Sequence, residues 1–365
     1  MLLVLWRPLM GQNITVPPSG DNQRAAVTQY MGLVSVQITY NSPDVDNRRG
    51  RIWGDLVPYG LAPNNFGTAK AMPWRAGANE NTVFEVSHDV RIQGKDLPAG
   101  TYSLHMIPSA NGPWTLIFSR NHGAWGSYFY DSAEDALRVE TTPEPAPYTE
   151  WLTYDFTDRQ LGSCTAALTW EELRIPFRIE VPDPHAIYLA RIRQELQNSP
   201  GFAWQSWDAA AQYCLLHNIN LEEALTWSEA SIRAPFIGEE NFTTLSTYAT
   251  LLRRLGRQSE SEAAMDKAIK HPSATVNQIH QYGRQLLGQG DKAGALAIFE
   301  YNASRYPDVW PVNVGLARGY AAVGDFKKAL KYAKIAQGQV PAGDTVNAAS
   351  LDSMIGKLSQ GQDIH

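Results

Sequence analysis

The hydrophobic period of this chain changes once, and that change dictates what it can fold into. From Val27 to Val181 apolar residues tend to recur at every second position; after Val181-Pro182-Asp183-Pro184 they recur at helical spacing, as in Ile187, Ala190, Ile192 and Leu196. In the stretch from Leu33 to Tyr40, Val34, Val36, Ile38 and Tyr40 share one face while Ser35, Gln37 and Thr39 take the other, as a half-buried strand requires. The alternation returns at 82–90, with Phe84, Val86 and Val90 on one side and His88 sharing their face. Further strand candidates are 101–107, 114–119, 136–140, 151–157 and 165–181, separated by turn clusters such as Gln93-Gly94-Lys95-Asp96. Many short strands without intervening helices predict an antiparallel β-sandwich or barrel. Proline at alternate positions in Thr142 to Tyr148 excludes a central strand and predicts a crossover or an edge cover.

The helical half repeats. Gly256, Gly290 and Gly324 stand 34 residues apart, each after one apolar helix and before another. On that period Tyr282-Gly283, Ala295, Phe299 and Pro307 align with Leu316-Ala317, Ala329, Ala333 and Pro341, while an earlier unit, Ala210 to Ile232, sits off register. The period and the small, aromatic and proline positions resemble tetratricopeptide repeats, without their large tryptophan. The expectation is an all-α array of helical hairpins with a concave surface. Its role is either docking of a protein partner or capping, including stabilisation of a homodimer.

A length of 365 residues accommodates this division: a flexible lead-in over 1–24, a β domain over 25–181 and a helical repeat domain over 182–365. Met1 to Trp6 reads as an apolar signal segment cut short by Arg7 and Pro8, or else as a disordered tail. No stretch is apolar for the roughly 18 residues a membrane span needs. With 31 Lys and Arg against 37 Asp and Glu, the net charge of -6 gives no general attraction to nucleic acid. The two cysteines, Cys164 and Cys214, fall in different domains and do not report the redox compartment.

Common catalytic signatures are missing: no GxSxG elbow, HExxH helix, phosphate loop or CxxC pair occurs. Gly288-Gln289-Gly290-Asp291 reads as a repeat turn. Any cofactor stays unknown from the sequence. His88, His105 and His122, with Glu80, Glu85 or Asp131, are the material for a metal site, but their spacing shows no HxH pair and none is assigned. The distinctive string is Pro73-Trp74-Arg75-Ala76-Gly77-Ala78-Asn79-Glu80-Asn81-Thr82. Here Arg75 could clamp an anion or a sugar hydroxyl, Asn79 could share the ligand, and Glu80 could act as a general base or hold Arg75. The alternative is a buried Arg75–Glu80 ion pair that pins the loop. Arg138, Glu150 and Asp155 are further strand charges. Trp53, Trp74, Trp114, Trp125 and Trp151 either stack on sugars or fill a core.

Several strings in order, VQITYNSPDV from Val36, RIWGDLVPYG from Arg51, PWRAGANENT from Pro73, GKDLPAGTYSLHMIP from Gly94, ALRV from Ala136 and YTEWLTYDF from Tyr148, resemble a bacterial family known only as domain of unknown function 2911. The resemblance spans about residues 25–180. It implies a periplasmic or secreted protein, places Trp74, Arg75, Gly77, Asn79 and Glu80 in a family signature, and supplies no reaction. The resulting expectation is a small polar ligand, a carbohydrate or a carboxylate-bearing molecule, held by Trp74, Arg75, Asn79 and Arg138. The alternatives are a hydrolase or metal-dependent enzyme using Glu80 and His105, and a non-catalytic scaffold.

Overall fold

Alternating side chains and tight turns build the first half. A computed structural model describes residues 22–364, so the expected signal segment lies outside the described residues. The strands in chain order are β1 (Gln23–Met31), β2 (Val34–Ser42), β3 (Ala62–Pro63), β4 (Ala71–Met72), β5 (Thr82–Val86), β6 (Val90–Ile92), β7 (Lys95–Leu97), β8 (Gly100–Ile107), β9 (Trp114–Ser119), β10 (Asp135–Thr141), β11 (Glu144–Gln160) and β12 (Ser163–Glu180). One antiparallel sheet runs β1-β2-β5-β8-β9-β10, a second runs β11-β12-β6-β7, and β3 pairs with β4 in the long connection before β5. Val36, Ile38, Phe84, Leu104 and Phe118 from the first sheet meet Leu168, Trp170, Phe177 and Ile179 from the second in one buried core. The Phe177 ring lies 6.4 Å from that of Phe84 and 6.1 Å from that of Phe118, which ties the two layers together. Each such side chain contributes roughly 1.5–3 kcal/mol of burial. The architecture is an antiparallel β-sandwich.

Three strand expectations are refined. The run 82–90 is not one strand: it breaks after Val86, and Val90 begins β6 in the other sheet, so one hydrophobic alternation feeds both layers. His88 therefore lies in the intervening bend, half-buried and bonded to Ser87 Oγ, instead of on a strand face. The proline-rich stretch is the start of β11, an edge strand whose pairing with β12 is irregular there, which is where missing N–H donors are tolerated. β1 escapes a sequence reading because its inward face, Ala25, Val27 and Gln29, is small or polar and only half-buried, leaving little apolar contrast.

The second half is helical: α1 (Pro184–Glu195), α2 (Trp204–His217), α3 (Leu221–Arg233), α4 (Phe242–Arg254), α5 (Gln258–Lys270), α6 (Val276–Gly288), α7 (Lys292–Arg305), α8 (Trp310–Ala322), α9 (Phe326–Gln339) and α10 (Thr345–Ser359). The described chain forms two compact units that divide between Arg191 and Ile192. The starts of α4, α6 and α8 are 34 residues apart (276 minus 242, 310 minus 276), as are those of α5, α7 and α9 (292 minus 258, 326 minus 292). α2 and α3 precede α4 and α5 by 38 and 37, so the first hairpin is off register. The repeating glycines end the first helix of each pair. At Gly290 (φ 84°) and Gly324 (φ 85°) the left-handed residue lets the next N–H, of Asp291 or Asp325, bond back to Leu286 or Tyr320. Asp291 and Asp325 then cap the following helix. Between α6 and α8, Phe299 of α7 is buried against Gly283, Gly315 and Gly319, where an added Cβ would come within 2.6, 2.6 and 2.9 Å of its ring. Small residues there are what let paired helices close on an aromatic wedge. This spacing and packing make the second half a tetratricopeptide-like array.

Candidate functional site

The loop from Pro73 to Thr82 is rigid because its backbone is held from several sides. Trp74 exchanges both backbone hydrogen bonds with Met106 of β8, each 2.8 Å. Ala76 adopts a left-handed φ of 51°, and its carbonyl accepts from Thr82 Oγ1 at 3.0 Å and from the buried Tyr154 hydroxyl at 2.9 Å. Ala78 N–H bonds the Asn41 carbonyl at 3.0 Å. These contacts fix the direction in which Arg75 leaves the loop.

The segment following β9 comes over the outer face of the first sheet and meets Arg75. Its anchor is His105, which points away from the sandwich core on β8 and is only 3% exposed. His105 Nδ1 lies 3.0 Å from Ser127 Oγ, and Nε2 lies 3.0 Å from Ser103 Oγ. The Ser103 hydroxyl donates to the Asn121 carbonyl at 3.1 Å, so it accepts from Nε2–H, and Ser127 donates to Nδ1. Burial, with a smaller contribution from the Arg75 charge, pushes the His105 pKa down to about 4. The imidazole is therefore neutral near pH 7, and it pins Ser127 beneath the loop surface. Tyr130 completes the anchor: its ring is 5.6 Å from His105, and its hydroxyl donates to Asp135 Oδ2 at 2.9 Å while accepting from Arg138 at 2.6 Å. Burial, followed by the Asp135 carboxylate, raises Tyr130 to about 12.

With Ser127 pinned, its neighbours are displayed around Arg75. The Arg75 Cζ stands 5.2 Å from the ring centroids of both Trp125 and Tyr128, whose planes are 6° apart. Arg75 Nη1 donates to the Asn79 carbonyl at 2.5 Å. Gly126 (φ 61°) permits the approach, because a Cβ there would fall 2.5 Å from Arg75 Cζ. Phe66, from the β3–β4 connection, packs edge-on to Tyr128 and contacts Phe129. Phe66 is 65% exposed, Trp125 50% and Phe129 40%, so the guanidinium sits in an open aromatic surround. Exposed aromatic groupings of this kind are a mark of interaction sites.

The structure brings together only part of the expected set. Arg75 and His105 are electrostatic neighbours, and Arg138 connects to His105 through Tyr130, while it also pairs with Asp135 at 2.6 Å. Asn79 contributes a backbone carbonyl to Arg75, its own backbone being left-handed at φ 56°. Trp74 is half-buried among Trp53 and Trp170. Glu80 is exposed and accepts from Asn41 Nδ2 at 2.8 Å; it bonds neither Arg75 nor His105. The Arg75–Glu80 ion pair offered as the structural alternative does not form, because the left-handed turn through Ala76 and Asn79 sends the two side chains to different partners. Of the tryptophans, Trp114 is core, whereas Trp125 and Trp151 are exposed. Among the described residues no group of three or more His, Cys, Asp or Glu side chains is arranged to hold a metal ion. Sequence reading misses Phe66, Ser127, Tyr128 and Phe129. Their signal is aromatics in glycine-containing turns, where no strand core can use them.

Comparison with known proteins bears on each half separately. Residues 22–179 match the model of the family described as "Protein of unknown function (DUF2911)". No curated protein matches the chain. Solved structures that match include a MamA fragment, 41-end, from Desulfovibrio magneticus RS-1, with 19% identity over 44% of this chain and 97% of that one and a TM-score of 0.28. A thermophilic TPR protein from Thermus thermophilus, TTC0263, matches with 16% identity over 46% and 88% and a TM-score of 0.30. YrrB, a TPR protein with an unusual peptide-binding site, matches with 14% identity over 48% and 93% and a TM-score of 0.30. The description of the helical half rests on its own 34-residue spacing. Over residues 22–179 the chain thus matches the DUF2911 family model, and tetratricopeptide-like helical repeats follow.

Proposed function

We propose that this chain is a non-catalytic binding protein whose β domain holds the carboxylate of an acidic saccharide at Arg75. One observation carries the reading. Arg75 is half-buried between the exposed Trp125 ring and the half-buried Tyr128 ring, and among the described residues it has no carboxylate partner. A guanidinium offers a planar fork that matches a carboxylate, and partial burial strengthens that pairing relative to water. The exposed Trp125 ring offers a flat apolar face to the C–H side of a pyranose, and Phe66 and Phe129 extend it. The engagement of both candidate catalytic side chains favours binding over turnover: His105 is buried with both ring nitrogens bonded, and Glu80 is bonded to Asn41.

Titration calorimetry with glucuronate and galacturonate oligomers, against neutral glucose oligomers of equal length, tests the proposal. Acidic oligomers are expected to bind, and Arg75→Ala to weaken them by about tenfold or more, from the loss of roughly 1.5–3 kcal/mol of charged hydrogen bonding. Trp125→Ala should weaken acidic and neutral rings alike. Unchanged affinity in Arg75→Ala, or no acidic oligomer bound, contradicts the proposal.

A further inference from the structure

The first sheet ends on a strand whose outer edge is open among the described residues. β1 pairs with β2 in an unbroken register, with Met31 opposite Val34 across the two-residue turn Gly32-Leu33. In such a hairpin the pair beside the turn exchanges both backbone hydrogen bonds, and so does every second pair after it: Gln29 with Val36, Val27 with Ile38, Ala25 with Tyr40. The residues between them, Arg24, Ala26, Thr28 and Tyr30, therefore aim their N–H and C=O groups away from β2. The far side of β2 bears out the alternation, because the carbonyls of Ser35 and Asn41, opposite Tyr30 and Arg24, accept from Ser87 N–H and Ala78 N–H, each at 3.0 Å. Among the described residues the Tyr30 carbonyl is the one outward group with a partner, Gln29 Nε2 at 2.7 Å.

The other edges of the two main sheets are defended and this one is not. β10 carries a register shift between Asp135 and Leu137, and Lys95 Nζ and Gln93 Nε2 donate to its Arg138 and Glu140 carbonyls at 3.3 and 3.1 Å. β11 holds Pro145 and Pro147 and pairs irregularly, and β7 is three residues long. Bulges, prolines, lysines and brevity are the means by which folded chains keep further strands from adding to an edge. β1 is nine residues long, regular and free of proline, and it carries one charge, Arg24. Its side chains are only partly covered: Ala25 and Val27 pack on the sandwich core yet stay half-buried, and Tyr30 on the opposite face is 66% exposed.

We propose that the occupant of this edge is β1 of a second copy of this chain, paired antiparallel about a two-fold axis at Val27, so that the first sheet continues through the axis into its mate. The outward residues lie symmetrically about Val27: Arg24 falls opposite the second copy's Tyr30 and Ala26 opposite its Thr28, and every outward N–H and C=O gains a partner once Gln29 releases the Tyr30 carbonyl. Arg24 avoids its own mate and lies against an aromatic ring instead. On the inward face Val27 meets Val27, covering apolar surface that the single copy leaves half-buried. Moving the axis to Ala26 or Thr28 sets Tyr30 opposite Asn22 or Arg24 opposite Gly32, outside the strand.

The pairing does not rest on the Arg75 reading, and its test follows assembly instead of ligand. Sedimentation equilibrium of the full chain is expected to show monomer and dimer in exchange. Ala26→Pro removes an outward N–H and leaves the bonds to β2 in place, so it should weaken the dimer by about tenfold or more while circular dichroism stays that of the parent. Val27→Cys should yield a covalent dimer under oxidised glutathione, since residues facing each other across the axis have Cβ atoms roughly 4.5–5.5 Å apart, whereas Arg24→Cys, remote from its own mate, should not. The native Cys164 and Cys214 are buried and stay out of the reaction. A parent that sediments as a monomer at every concentration overturns the proposal, as does a dimer indifferent to Ala26→Pro, which places the contact elsewhere. Val27→Cys that never cross-links, or Arg24→Cys that does, overturns the axis.

Discussion

Residue by residue, the β-domain site depends on one neutral histidine and one glycine. His105 keeps the 120–130 segment in place only while uncharged, because its ring nitrogens serve one donor and one acceptor in a buried chain of hydroxyls. Its folded pKa, about 4, lies below the ordinary value of 6.5. In the unfolded chain the imidazole takes a proton first as pH falls, so stability is full above about 6.5 and is lost on descending towards about 4, then levels off. The loss is about 1.4 kcal/mol per pH unit and about 3 kcal/mol in all. Denaturant midpoints between pH 7 and pH 4 check this: His105→Asn should flatten the acid limb relative to the parent, and an unchanged slope counts against the assignment. Gly126 acts by what it lacks, since any Cβ there meets the Arg75 guanidinium. None of this is visible along the chain. Arg75 stands out for its unusual surroundings in sequence, but its true neighbours, Trp125, Gly126 and Tyr128, lie some fifty residues away and are brought in by a serine–histidine bond that no spacing announces.

Among secondary-structure elements, those with strong contrast are legible and those with weak contrast are not. β2 reads directly because buried Val34, Val36 and Ile38 alternate with half-exposed residues. β1 does not, since an edge strand whose inward face carries Ala25, Val27 and Gln29, only half-buried, has a weak periodic apolar signature. The break between β5 and β6 is invisible because the alternation continues through it while the chain changes sheets. In the helical half, glycine spacing locates the turns because only a left-handed residue closes that motif cheaply. The packing role of Gly283, Gly315 and Gly319 around Phe299 emerges only in three dimensions. Gly315→Ala places a methyl group 2.6 Å from the Phe299 ring. Overpacking of that kind costs about 1–3 kcal/mol. Thermal melting should show a drop of several degrees, partly reversed by Phe299→Leu; a melting point equal to the parent's would mean that α7 shifts freely between its neighbours.

For the whole molecule, the two periods in the sequence correspond to two compact units with different physics. The sandwich holds its site rigid through long-range strand pairing, whereas the array presents a surface assembled from a repeated turn. The formal charge of -6 conceals a local cation in the first unit, Arg75 among its aromatic neighbours. Composition therefore argues against a general attraction to polyanions while giving no hint of this local cationic site. The most direct measurement of the central claim is the nitrogen-15 side-chain spectrum of the arginines as galacturonate oligomer is added. The Arg75 Nε–H resonance should shift and saturate, and Gly126→Ala, which crowds the guanidinium aside, should weaken that response. An unmoved Arg75 resonance at saturating ligand, or equal shifts spread over the surface arginines, would contradict it.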